Sequence, residues 1–209
     1  MFIVFEGIDN SGKSTLSKKF VEYLSLPKTK ELVSKFHSDP DDQWVAEVGD
    51  FSWTKEPQFT TEEADMLNSP EFKDEHKREA FFFADRFKHQ AELSQGFKVC
   101  DRYVWTGLAY AQKFSPNCYP IMKYLYTDEQ IFLQPDLYIF VDTPLEICDQ
   151  RDPEVGLDRL TSLRQAYIDN TSLAAKPEDI IYTSAEGDVE ESLKLVIGKF
   201  ESWLEGKRA

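Results

Sequence analysis

Apolar residues in this chain fall into short unbroken runs, and between the runs they recur at helical spacing. Residues 1–6 (MFIVFE), 97–100 (FKVC), 137–141 (LYIFV) and 179–183 (DIIYT) read as buried strands, and the alternating 51–54 (FSWT) reads as a fifth. After the first strand, Leu16, Phe20 and Leu24 come every fourth residue, which predicts a helix over 14–26 with one buried stripe, stopped by Pro27. Residues 70–95 read as one long helix closed by Gly96, and a further helix begins at Thr106 and runs to Lys113. A short helix follows Pro144, and Leu160, Leu163 and Tyr167 open another. The last helix carries Leu193, Ile197, Phe200 and Leu204 on one stripe, with Asp188 and Glu191 spaced as a capping box. Strands and helices alternate, roughly five of each. That order predicts an α/β fold: a three-layer αβα arrangement with a roughly five-stranded, mostly parallel sheet covered by helices on both faces.

Length and charge narrow the picture. At 209 residues, with no repeat, linker or low-complexity tract, the chain reads as one domain spanning 1–209. Its formal charge of −14 excludes a general nucleic-acid-coating role, so an anionic ligand must be held by a local cluster of cations. No apolar run approaches the ~18 residues of a membrane span, and the core-type strand at the start leaves no room for a signal peptide. Cys100, Cys118 and Cys148 lack metal-ligand spacing and read as reduced buried thiols, which points to the cytoplasm. The acidic stretch 37–50, broken by Pro40 and Gly49, reads as a surface excursion.

The chemistry starts at Gly7-Ile8-Asp9-Asn10-Ser11-Gly12-Lys13-Ser14-Thr15. Gly, four residues, then Gly-Lys-Ser, between a strand and an amphipathic helix, is the phosphate-loop pattern in the context it requires. Its backbone N–H groups, at the positive end of a helix, face phosphate oxygens. Lys13 adds a point charge, and the Ser14 hydroxyl is placed to ligate Mg²⁺. Two strands end in carboxylates, Asp101 and Asp142, at the sheet edge where ligands bind in such folds. Either could serve the metal, and the adjoining Arg102 favours Asp101. Phe82 and Arg86, four apart on one helix, share a face and suit a planar base with exocyclic oxygens. Arg151 and Arg159 bound a polar Pro- and Gly-containing segment, about 149–160, that suits a flap closing over phosphates.

A phosphate loop permits a switch GTPase, a motor ATPase or a small phosphotransferase. Outside the loop itself there is no Asp-x-x-Gly switch, and no Asn-Lys-x-Asp base reader occurs anywhere. The strand ending in an acidic pair that motors use is also missing. A kinase of a small acceptor needs several arginines to neutralise the transferred group, and Arg86, Arg102, Arg151 and Arg159 supply them.

Residues 5–15 (FEGIDNSGKST), 54–57 (TKEP), 82–86 (FFADR), 101–103 (DRY) with Leu108-Ala109-Tyr110, and 135–142 (PDLYIFVD) together resemble the thymidylate kinases, in that family's order and over nearly the whole chain. The resemblance implies transfer of the γ-phosphate of ATP to dTMP with Mg²⁺, giving dTDP and ADP, in a homodimer. By position it gives Asp9 a contact to the sugar 3′-hydroxyl, Phe82 a stack on thymine and Arg86 a base oxygen. Arg102 falls on the acceptor phosphate, Asp101 near Mg²⁺ and Tyr110 against the sugar 2′ position, with Lys55, Thr106 and Gly107 completing the acceptor set. Asn10 stands where relatives place arginine or glycine, so the transition-state arginine is expected from the flap, as Arg151 or Arg159. Lys55 stands where arginine is usual, and Gln58-Phe59 replaces a Gly-Gly pair. The alternative readings are a kinase of another or modified deoxynucleotide or of a deoxynucleoside, and a nucleotide-binding module without catalysis.

Overall fold

In the computed structural model, which describes residues 1–37, 49–128 and 131–207, the sheet is built from β1 (Phe2–Glu6), β2 (Phe51–Lys55), β3 (Phe97–Asp101), β4 (Leu137–Val141) and β5 (Ile180–Thr183). The strand order is β2-β3-β1-β4-β5, and every neighbouring pair is parallel. The strands carry few polar residues because parallel strands in such a sheet are covered on both faces. All five residues of β1 and of β4 are buried. The first strand is central, so the turn leaving it lies at the crevice where the chain switches direction, between β3 on one side and β4 on the other.

Around the sheet lie α1 (Lys13–Leu24), α2 (Pro27–His37), α3 (Thr61–Leu67), α4 (Glu75–Leu93), α5 (Val104–Phe114), α6 (Tyr119–Thr127), α7 (Leu145–Arg151), α8 (Leu157–Asp169), α9 (Thr171–Ala174) and α10 (Val189–Gly206). Two apolar cores result, one on each face. Phe5, Phe20 and Phe200 interlock in one, with ring centroids 5.6 and 5.2 Å apart. Trp105, Phe140 and Tyr167 form the centre of the other, with Trp105 stacked on Phe140 at 4.8 Å. The indole N–H of Trp105 donates to the Tyr167 carbonyl at 2.7 Å, so its one polar atom is satisfied.

Several helical expectations are corrected. The long helix over 70–95 is in fact a 3-10 turn, Pro70–Lys73, followed by α4 from Glu75. Asp74 makes the break, because its carboxylate accepts from the Lys77 backbone N–H at 3.1 Å and caps α4. Pro27 does not only end α1; it opens α2 at the first helical position, where its missing N–H costs nothing. The helix expected from Thr106 starts at Val104, and α2, α3, α6 and α9 are additional helices, so ten α-helices rather than roughly five are present among the described residues. Asp188 caps α10 through the Glu190 N–H at 2.9 Å without a return bond from Glu191; the capping box of this chain is at Thr60 and Glu63. The buried stripe of α10 is Ser192, Val196, Phe200 and Leu204, with Leu193 and Ile197 at its margin. Most of the acidic excursion, 38–48, lies outside the described residues.

Candidate active site

The turn after β1 is set by close packing. Gly7 has φ +150°, and a Cβ there would meet the Val141 carbonyl oxygen at 2.6 Å. The Thr143 hydroxyl donates to the Ser11 carbonyl at 2.8 Å and accepts from the Ala185 N–H at 3.0 Å, tying the loop to the ends of β4 and β5. Two non-glycine residues have positive φ among those described: Asn10 at +62° and Arg102 at +73°. Each conformation costs roughly 1–3 kcal/mol, and such strain concentrates at functional sites. Both residues face the crevice, one in the loop after β1 and one at the end of β3.

The loop forms the wall between two cavities. Asn10, Gly12, Lys13, Ser14, Thr15 and Arg151 line one, of about 440 Å³. Asp9, Lys55, Phe82, Arg86, Arg102, Gly107, Tyr110 and Arg159 line the other, of about 470 Å³. Adjacent residues Asp9 and Asn10 therefore face opposite cavities.

In the first cavity the Lys13 ammonium donates to the Ile8 carbonyl at 2.9 Å and is almost fully buried. Burial, reinforced by the Arg102 charge and opposed by Asp101, Asp9 and Glu6, lowers its pKa to about 7. The Ser14 hydroxyl donates to Asp101 Oδ2, while Asp101 Oδ1 is buried without a partner. Asp142, the other strand-end carboxylate, is taken by a two-pronged pair with Arg164, both bonds 2.6 Å. Arg151 is the last residue of α7, and its guanidinium donates to the carbonyls of Asn10 (2.9 Å) and Ala185.

The second cavity lies between antiparallel α4 and α5. Glu79 accepts from the Ser115 hydroxyl at 2.6 Å near one end of that helix pair, and Arg86 meets Gly107 toward the other. Glu79, Phe82 and Arg86 occupy one helical face of α4; Gly107, Tyr110 and Phe114 occupy the facing stripe of α5. Phe82 is half-buried, backed by Phe59 at 5.2 Å between ring centroids. Arg86 is buried: its Nε donates to Glu56 Oε2 at 2.6 Å, its guanidinium carbon lies 4.8 Å from the centre of the Tyr126 ring, and Nη1 has no partner. A Cβ at position 107 would lie 2.5 Å from that nitrogen, so only glycine leaves it room. Asp9 accepts from Arg102 Nη2 and from the Tyr110 hydroxyl at 2.7 Å. Burial raises the Asp9 pKa, but Arg102, Tyr110 and Lys13 outweigh it and hold the carboxyl below its ordinary range. Arg159 lies in the first turn of α8 with its guanidinium over the Phe114 ring at 4.9 Å.

Four residues expected in the site line neither cavity. Gly7 and Ser11 shape the loop from below, and Asp101 lies behind Ser14. Thr106 is turned inward: its hydroxyl donates to Glu6 Oε2 at 2.5 Å and lies 2.6 Å from the Tyr167 hydroxyl. Glu6 also accepts from the backbone N–H groups of Tyr103 (2.9 Å) and Thr106 (3.0 Å), capping α5 from a distant strand. Sequence reasoning gave no role to Glu56, Glu79, Phe114 or Tyr126. Periodicity carried a signal for two of them, since Glu79 is three before Phe82 and Phe114 is four after Tyr110. The partnership of Glu56 with Arg86 has no local signal across its 30-residue separation.

The flap expectation is refined by the same geometry. Residues 149–160 are the end of α7, a five-residue link and the first turn of α8, and Arg151 and Arg159 point to different cavities.

Comparison with known proteins supplies the family. The thymidylate kinase family model matches residues 43–195. A thymidylate kinase of Caenorhabditis elegans is 30% identical over 97% of this chain and 90% of its own length. A probable thymidylate kinase of Methanocaldococcus jannaschii is 26% identical over 95% of this chain and 94% of its own length. The crystal structure of thymidylate kinase from Ehrlichia chaffeensis shares the fold, with a TM-score of 0.61, 20% identity and coverage of 96% and 98% of the two chains. A phosphate loop with a cavity on either side, in a chain matched across most of its length, places this protein in the thymidylate kinase family.

Proposed function

We propose that the chain, acting as one domain, transfers the γ-phosphoryl group of ATP to dTMP, giving ADP and dTDP, with ATP on the Lys13 side of the phosphate loop and dTMP on the Arg86 side. The observation that carries the acceptor assignment is the Arg86 guanidinium, a fixed donor that lines, together with Phe82, a cavity of about 470 Å³. A pyrimidine ring stacked on Phe82 presents an exocyclic oxygen to that donor, and the ring of Tyr110 stands against the sugar. Asp9 receives the 3′-hydroxyl. Lys55 and Arg102 hold the acceptor phosphate, and the tie between Arg102 and Asp9 fixes the guanidinium before substrate arrives.

Phosphoryl transfer depends on positioning and on neutralising charge that spreads over the transferred group. Lys13 and the loop N–H groups do this from the donor side. Arg151 uses two guanidinium nitrogens on the Asn10 and Ala185 carbonyls and braces the loop from the donor side. Arg159, held by ring contact with Phe114, is the flap cation on the acceptor side. A Mg²⁺ ion would be held beside Ser14, by the Ser14 hydroxyl with Asp101 behind it, and no cluster of three or more His, Cys, Asp or Glu exists among the described residues. That donor set suits an ion shared with phosphates and water rather than one caged by protein. When bound, it would offset the charge of the donor phosphates.

No helix among the described residues is long and apolar enough to cross a membrane. Three free buried cysteines support a cytoplasmic location. A homodimer is supported by the exposed rings of Phe87 on α4 and Tyr124 on α6, whose neighbours, half-buried Phe83 and buried Tyr126, stack 6.1 Å apart.

Replacing Arg86 by Ala raises the KM for dTMP by at least tenfold and leaves the KM for ATP within threefold, because only the base loses a partner, in the range of ~1.5–3 kcal/mol for a bond to a charged group. Equal effects on both substrates contradict the base-contacting role. Replacing Arg159 by Ala lowers kcat by ~100-fold or more, the scale of a lost charge stabiliser, whereas a kcat within threefold assigns that charge elsewhere. Lys13 gives a proton test. Its depressed pKa leaves it mostly neutral in the free enzyme at pH 8, and bound phosphates favour the ammonium. Calorimetric titration of ATP at pH 8 in buffers of different ionisation enthalpy should show proton uptake; no uptake, or release, contradicts the assignment.

A further inference from the structure

The Glu56 carboxylate that holds Arg86 is itself held, and the donors and acceptors around it fix a direction. Gln58 Nε2 lies 2.9 Å from Thr54 Oγ1 and 3.2 Å from Glu92 Oε2. A carboxylate only accepts, so the Gln58 group there is the amide N–H₂, and it donates to Thr54 as well. With its oxygen accepting from Gln58, the Thr54 hydroxyl has a proton available for His89 Nε2, 2.8 Å away, when that nitrogen is unprotonated. Accepting at Nε2 leaves the ring proton on Nδ1, 3.1 Å from Glu56 Oε1. The other carboxylate oxygen, Oε2, takes the Arg86 Nε–H at 2.6 Å. Thr54, Glu56, Arg86 and His89 are all at least 95% buried, so no bulk water substitutes for a missing link.

We propose that Gln58, Thr54 and His89 form an ordered hydrogen-bond relay that sets the Glu56 carboxylate and, through it, holds the Arg86 guanidinium in the orientation that meets the acceptor base, with His89 as its central positioning residue. This rests on the reading of Arg86 as the base-contacting residue. The consequence is specific. His89 touches neither cavity, yet it governs acceptor affinity, because an arginine held at Nε by a swivelling carboxylate does not present its guanidinium at a fixed point. Binding a rigid donor costs less ordering than binding a mobile one, and the difference appears in KM for the acceptor rather than in the chemical step.

The tautomer is tested directly by NMR of protein labelled with ¹⁵N in its three histidines, with His89 assigned by its loss from the spectrum of His89→Asn. The relay requires the proton on Nδ1, and a proton on Nε2 overturns it. Kinetics test the positioning role. His89→Ala raises the KM for dTMP about tenfold, while the KM for ATP and kcat at saturating dTMP stay within threefold. His89→Asn, whose amide nitrogen falls near the former Nδ1, restores the KM to within threefold of the parent. In the Arg86→Ala background, His89→Ala has no further effect on the KM, because the relay acts only through that guanidinium. Additive effects, or equal losses for both substrates, mean that His89 is only a packing residue and overturn the proposal. If His89→Ala does not fold, Thr54→Val decides: it keeps the volume, removes the hydroxyl and raises the dTMP KM at least threefold, and an unchanged KM overturns the relay. Arg86→Ala alone separates the two levels. If it leaves the dTMP KM unchanged, the base-contact reading fails; if it raises the KM while the His89 and Thr54 variants do not, only the relay fails.

Discussion

A guanidinium buried with one nitrogen unbonded is a costly object, since a buried donor without an acceptor loses ~1–3 kcal/mol. Arg86 is such an object, and much of the acceptor side is arranged around it. Glu56 neutralises its charge and takes Nε; the Tyr126 ring covers one face; Gly107 leaves the space that any side chain would fill. Among the described residues nothing pairs with Nη1, which is sealed against Gly107. A ligand oxygen in the cavity that this guanidinium lines would give it a further partner, which is how a site rewards one acceptor over another that lacks the oxygen.

The donor side shows the same economy. Lys13 is driven toward neutrality by burial, and Asp101 keeps one oxygen without a partner beside Ser14. Both are poor arrangements for the free protein and good ones for a charged ligand with its cation. The two halves meet in the phosphate loop, where Asp9 and Asn10 turn to opposite cavities, and the strained backbone of Asn10 and Arg102 marks where the sheet's central crevice is bent into two seats.

Local signals were enough for the parallel sheet, the loop and the shared face of Phe82 and Arg86, because each depends on short-range spacing. The period of 3.6 put Phe82 and Arg86 on one stripe, and the structure sets both in one cavity. Signals failed where two competing local codes overlap. Asp74 both continues a helical pattern and is a strong cap, and the cap wins. Pro27 is a stop by one rule and a first-turn residue by another. They failed altogether for partners distant in sequence: the inward turn of Thr106 onto Glu6, 100 residues away, and the Arg164 pair that removes Asp142 from contention are properties of the folded sheet edge. Gln58-Phe59 stands where the resemblance expects two glycines, and in the fold Phe59 backs Phe82 while the exposed Gln58 donates to the buried Thr54.

The central claim is that the cavity beside Arg86 seats a deoxyribonucleotide pyrimidine carrying its own phosphate. A coupled assay of ADP release from ATP, run over a panel of nucleosides and nucleoside monophosphates with Mg²⁺, tests it most directly. The account predicts the highest kcat/KM for dTMP, with thymidine and the ribonucleotide far below it. Turnover of an unphosphorylated nucleoside or a purine nucleotide above dTMP, or none with any acceptor despite tight ATP binding, would contradict it.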